Sequence, residues 1–262
     1  MISVITTYCA NIIQPSLLAV LLFLSVRLLI RNKDSMPVVF LTFTYALWLF
    51  SDIYWLVYDF LRPDSRMPFA ANEFGEAGIF LMIAAIINSA VPRGRVSKKL
   101  TTGVFAFSIC NIVLWLLWSG EWFQDILIGL VFIYVLYSAV CSLKSVQAIS
   151  KKEWVFLVVI CILLIAGQFT TFLVDKPFKI FVDMGCYVLL FTGELFWIVR
   201  YFIAGSKKDA PLKSLSISVA GVVWSTTALF MSEGIIYNVF IIMEALILIF
   251  MYLSVRKVVK DK

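Results

Sequence analysis

The chain contains no histidine. That absence removes His-ligated zinc and haem, and with them the membrane hydrolases built on such a zinc, as well as Ser/His and Cys/His nucleophile pairs. Charge is scarce too: Asp, Glu, Lys and Arg make up 15% of the residues, against roughly 25% in a soluble domain. The twelve glycines form neither a Walker nor a dinucleotide-binding pattern. The five cysteines include no CxxC pair and no couple within one external loop, so buried free thiols are expected and neither a disulfide framework nor a metal site is. No lysine stands in the middle of an apolar run, which argues against a retinal Schiff base.

What the chain has instead is apolar length. Hydrophobic residues make up 62% of it and its mean hydropathy is +0.99, far outside the globular range. About nine runs of transmembrane length can be traced. They cover Tyr8 to Ile30, Val38 to Leu61, Gly75 to Val91, Leu100 to Trp118, Gln124 to Leu143, Trp154 to Val174, Phe178 to Ile203, Leu215 to Met231 and Ile235 to Val255. Pro37, Pro92, Pro177 and Pro211 fall at run edges, where a helix should start or stop, and Pro15 alone lies inside a run. The count of nine rather than eight depends on the short turn between Met231 and Ile235. These runs leave no segment for a folded soluble domain, so the expectation is one all-α polytopic transmembrane domain over residues 1–262. A fused kinase, nucleotide-binding module, nucleic-acid-binding domain or large ectodomain is excluded on this reading. The first run is too long for a signal peptide's apolar core and reads as a retained helix.

The net charge of +6 records topology rather than an affinity for nucleic acid. Basic residues gather after the first, third, fifth and seventh runs and after the last, which puts 18 of the 22 on one side. Only Arg62, Arg66, Lys176 and Lys179 fall on the other. By the positive-inside bias the N-terminus is outside and the C-terminus cytoplasmic, in a plasma membrane of bacterial type.

An ionisable group at bilayer depth costs several kcal/mol unless it is paired, protonated or wetted, so the deep acids are the informative residues. Asp52 lies nine residues in from the outer end of the second run, about 14 Å at 1.5 Å per residue, and Glu244 lies nine into the last. Glu194 stands in the middle to inner part of the seventh run. Trp55 and Trp197 put aromatic faces beside Asp52 and Glu194, as an organic cation would require. Asn88 and Gln168 could complete an interior site, although hydrogen bonding between helices would also account for them. A second acidic set, Asp59, Glu73 and Glu76, forms an outer mouth, with part of it serving to cap the third helix.

The segment YALWLFSDIYWLVYDFL at Tyr45 to Leu61 aligns without gaps with YVLLFTGELFWIVRYFI at Tyr187 to Ile203. The alignment matches Asp52 with Glu194 and Trp55 with Trp197. At that offset helices one to four fall on six to nine with the fifth as connector, a 4+1+4 inverted repeat of the kind that places transporter sites near the midplane. The reading that follows is a proton- or cation-coupled transporter of a small molecule, with a midplane carboxylate site and no cofactor. Two alternatives stay open. One is a ligand sensor that signals through a separate cytoplasmic or membrane partner. The other is an intramembrane acid/base enzyme acting on lipid, because Asp52 and Glu194, each preceded by a small residue, resemble the acid pair of the lysoplasmalogenase-type membrane proteins. That resemblance covers about a dozen residues at each site, and this chain lacks a histidine and spaces its acids more widely.

Overall fold

A computed structural model describes residues 2–62, 69–92, 94, 96–173, 176–203, 209–231 and 234–260; the side chains at 2–11, 59, 69–74, 173, 176, 177, 179, 183, 186, 194, 234–236 and 239 lie outside that description. The described residues form nine α-helices: α1 (Ile2–Arg31), α2 (Met36–Leu61), α3 (Phe69–Ala90), α4 (Lys98–Ser119), α5 (Trp122–Ser145), α6 (Lys151–Leu173), α7 (Lys176–Ile203), α8 (Ala210–Leu229) and α9 (Gly234–Lys260). No strand occurs among them. Each helix coincides with one apolar run and extends past most run ends by a few residues, because backbone hydrogen bonding continues through the polar flanks.

Helix ends follow local chemistry. Pro37 and Pro211 are the second residues of α2 and α8, within the first turn, where a missing N–H costs nothing. The Ser97 hydroxyl accepts from Leu100 N at 3.3 Å to cap α4, and Gly120 ends that helix with φ +73. At the start of α6, Ser150 N donates to Glu153 Oε2 at 2.5 Å while Glu153 N donates to Ser150 Oγ at 3.4 Å, a reciprocal capping box. The end of α5 turns through Gln147 at φ +48, with Gln147 N donating to Lys144 O and Ala148 N to Leu143 O. This is the paired bonding of a Schellman motif with glutamine where glycine is preferred. Gln147→Gly is therefore expected to raise stability by about 0.5–1 kcal/mol, because a left-handed non-glycine residue costs roughly that much; a higher unfolding midpoint checks it.

The helices close a circuit of neighbours in the order α1, α2, α3, α5, α4, α6, α7, α8, α9 and back to α1. Across it, α8 packs on α5 and more lightly on α3. Most of α8 and much of α5 are buried, whereas α1, α2, α4, α6 and α7 keep a large outward face. Small residues let the inner helices approach closely. Ser214, Ser216, Ser218, Ala220 and Gly221 line α8, and the Ser214 hydroxyl meets that of Ser254 on α9 at 2.7 Å.

The outward faces are apolar. Phe23, Phe50, Phe60, Leu117, Phe181 and Phe196 are all more than three-fifths exposed, an arrangement that water would penalise and hydrocarbon would not. Seven helices are long and apolar enough to cross a membrane, and α3 adds a shorter apolar stretch, Gly75–Ala90. Helix α9 carries Glu244 at mid-length and Arg256, Lys257 and Lys260 at its end. The architecture is compatible with a multi-pass integral membrane protein, and its apolar helices point to a lipid bilayer. One sequence expectation fails here: of the described cysteines Cys141 is buried and Cys161 half-buried, but Cys110 is exposed, because it lies on the outward face of α4.

Candidate functional site

Acids of α2, α3 and α9 come within electrostatic reach of one residue, Tyr237. Helices α2 and α3 pack against one another here: a Cβ on Gly75 would lie 3.8 Å from Ser51 Oγ, and one on Gly78 would lie 3.5 Å from Leu47 Cδ1, both ordinary van der Waals distances. Both contacts are to the turn of α2 that precedes Asp52. Glu244 lies within electrostatic reach of Asp52 and of Glu76, and Tyr237, two turns earlier on α9, is within reach of all three. Glu76, which the sequence assigns to the outer mouth, thus lies within electrostatic reach of Glu244, one of the two acids it assigns to the midplane.

Asp52 is half-buried, and its Oδ2 is enclosed without a hydrogen-bond partner among the described residues. Glu244 is 3% exposed, and its Oε1 accepts from Thr226 Oγ1 on α8 at 2.9 Å. The same threonine hydroxyl reaches Val222 O at 2.8 Å, so one hydrogen stands between two acceptors. The three carboxyls do not converge on a point: among the described residues, no three His, Cys, Asp or Glu groups could hold a metal ion together.

The end of α8 beside this cluster is stitched to its neighbours. The last carbonyls of a helix have no partner within it and must find one elsewhere, the more so away from water. Gln168 of α6 donates to Thr227 O at 2.9 Å, and the Tyr187 hydroxyl of α7 donates to Ala228 O. Gln168 is therefore one residue removed from the threonine that holds Glu244, with its own Oε1 buried and without a partner among the described residues. Asn88 is placed elsewhere. Its amide spans α3 and α5, donating to Tyr134 Oη at 3.2 Å and Ser138 Oγ at 3.1 Å, which is the interhelical bonding that its position allowed.

The aromatic candidates also separate. Trp55 is 44% exposed on α2. Trp197 is buried at the α6–α7 contact, where its indole Nε1 donates to Glu153 Oε1 at 3.0 Å and its ring meets Phe156 edge-on at 5.9 Å. That places Trp197 against the first turn of α6. The side chains of Glu194, Asp59 and Glu73 lie outside the described residues, so the inner acid and two members of the outer mouth have no described geometry.

Sequence reasoning missed Tyr237, Thr226 and Asp125. Nothing in a serine- and threonine-rich helix singles out Thr226 before its neighbour on α9 is known. Asp125 had a readable signal, since a carboxylate in the first turn of α5, accepting from the Ser119 hydroxyl, follows from the helix dipole. It is fully buried and holds the α4–α5 turn.

Fold and composition together are compatible with a helical integral membrane protein, with Asp52 and Glu244 on its apolar helices. Compared with known proteins, the chain matches no family model, no curated protein and no solved structure.

Proposed function

We propose that the chain is a nine-span, single-domain integral membrane transporter in which Asp52, Glu244 and Glu76 exchange a proton or a small cation in step with movement of a small molecule. The observation that carries this reading is the buried Oδ2 of Asp52, without a hydrogen-bond partner among the described residues, within electrostatic reach of Glu244, which is itself within reach of Glu76. Carboxyls gathered in a low-dielectric interior attract a proton or cation more strongly than any one of them alone. Their spread favours protons or an extended organic cation over a dehydrated metal ion. Thr226 gives Glu244 two arrangements: ionised, it takes the threonine hydrogen; protonated, it donates to Thr226 Oγ1 and releases the threonine hydrogen to Val222 O. A change of charge at Glu244 thereby reaches the buried helix α8.

The inverted repeat belongs to this proposal. It is supported by neighbour pairs that correspond at the sequence offset: α1–α2 with α6–α7, α2–α3 with α7–α8, α3–α5 with α8–α5, and α1–α9 with α6–α4. The correspondence stops at the fourth pair, since α9 packs on α8 whereas α4 packs on α5. The proposed orientation keeps the N-terminus outside and the basic connections in the cytoplasm of a bacterial-type cell.

The test is ligand-driven proton release from the purified protein in nanodiscs, screened with small organic cations and with metal cations. Wild type is expected to release protons with at least one cation class, and Asp52→Asn to release none. If no cation releases protons from a folded wild-type protein, the coupled site is wrong and the sensor reading takes its place.

A further inference from the structure

A second site stands apart from the acids, where α6 and α7 diverge near the basic end of the bundle. A groove of about 400 Å3 lies between them, lined by Lys152, Glu153, Phe156, Thr192, Phe196 and Trp197. Its walls are apolar: the Thr192 hydroxyl is turned back to Val188 O at 2.5 Å, leaving the methyl and the aromatic rings to face the space. Gly193 keeps the floor narrow, since a Cβ there would stand 2.9 Å from Phe156 Cε1. Around the groove the two helices present Val155, Val158, Val159, Val188, Leu189 and Phe196 outward, so it opens among residues whose natural neighbour is hydrocarbon.

The mouth is built for an anion. Both oxygens of Glu153 are already used: Oε2 accepts from Ser150 N, and Oε1 accepts from Trp197 Nε1 and, at 2.8 Å, from Arg200 Nη1. The carboxylate therefore fixes the Arg200 guanidinium, whose Nη2 donates to Tyr201 Oη at 2.9 Å. Among the described residues, two of its five N–H donors have partners. The Arg200 side chain is 43% exposed, and Lys152, which lines the groove, is exposed. Among the described side chains, Arg200 and Lys152 outnumber the Glu153 carboxylate at the rim. Basic rims between membrane helices on the cytoplasmic side suit anionic head groups.

We propose that this groove binds an anionic phospholipid of the basic-side leaflet, its phosphate held by Arg200 and Lys152 and one acyl chain lying between Phe156 and Phe196. The phosphate chemistry alone would also fit a soluble phosphate ester; the aromatic groove beneath it selects the lipid. The inference is independent of the transport reading and needs only that the chain resides in a bilayer.

The experiment is native mass spectrometry of the full chain titrated with phosphatidylglycerol, with phosphatidylcholine, and with glycerol phosphate. Phosphatidylglycerol should be retained preferentially, and Lys152→Gln should weaken it about fivefold, the effect of one basic residue at a membrane surface. Lys33→Gln removes an equal charge from another connection and should leave retention unchanged. Thr192→Trp, at an exposed position on the groove wall, should abolish retention while the unfolding midpoint in phosphatidylcholine stays as in wild type. Equal retention of the two lipids, an equal loss in Lys33→Gln, or undiminished binding to folded Thr192→Trp would each overturn the proposal. Glycerol phosphate binding as tightly as phosphatidylglycerol would overturn its lipid part.

Discussion

Glu244→Gln is expected to reduce cation-driven proton release to background while shifting stability by no more than about 1 kcal/mol, the scale of a single hydrogen bond between membrane helices. The substitution is isosteric. Its amide oxygen still accepts from Thr226, and the packing of a side chain that is 3% exposed is kept. What it removes is the ability to change charge, which on the proposed mechanism is the whole contribution of the residue. Thr226→Val makes the opposite cut, because it deletes the hydroxyl that links Glu244 to Val222 O and leaves the carboxyl in place. Release should therefore persist in Thr226→Val at a similar stability cost. Measuring both by proton release and by unfolding separates a titrating residue from a structural one. If Glu244→Gln releases protons like wild type, the acid is a packed polar group and coupling must rest on Asp52 and Glu76.

How far this could be read from the sequence differs between helices and site. The helices were legible because nothing but a continuous apolar run satisfies both hydrocarbon and the backbone, and because Pro37 and Pro211 mark their starts. Their pairing was not, since an all-round apolar helix carries no stripe that names its neighbour. The consequences show at the site. The sequence marks Asp52 and Glu244 as deep and assigns Glu76 to a separate outer set; that α3 packs at Gly75 and Gly78 against the turn of α2 preceding Asp52 emerges only from the fold. Trp197 was paired with the deep acids by its likeness to Trp55, yet its partner is Glu153. That carboxylate could have been anticipated from Ser150 three residues earlier, the spacing of a capping box, but its second role as anchor for Arg200 arises only when α7 lies alongside. Gln168 and Asn88 show the limit of reading polar residues singly: both bond between helices, and only Gln168 does so next to the threonine that holds Glu244.

Trp115→Ala is expected to be the most damaging single substitution in the interior, costing about 3–5 kcal/mol on the scale of buried aromatic truncations. Trp115 is 1% exposed, meets Phe132 of α5 edge-on at 5.3 Å, and overlaps Phe230, just past α8, at 4.4 Å. One ring therefore ties α4, α5 and the end of α8. Because lipid is as apolar as the core, the loss comes from dispersion contacts and from the cavity left behind, not from exposure to water. Trp115→Phe separates the two parts of the side chain. It keeps most of the ring contact and deletes an indole Nε1 that is buried without a partner among the described residues, a donor whose burial costs about 1–3 kcal/mol. The smaller ring and the removed donor act in opposite directions, so Trp115→Phe should lie within about 1.5 kcal/mol of wild type, the range of well-tolerated core exchanges. Unfolding free energies of the two variants in one detergent decide it. A Trp115→Phe protein as unstable as Trp115→Ala would mean that the indole N–H holds a hydrogen bond, and that the end of α8 is secured by polarity as well as by packing.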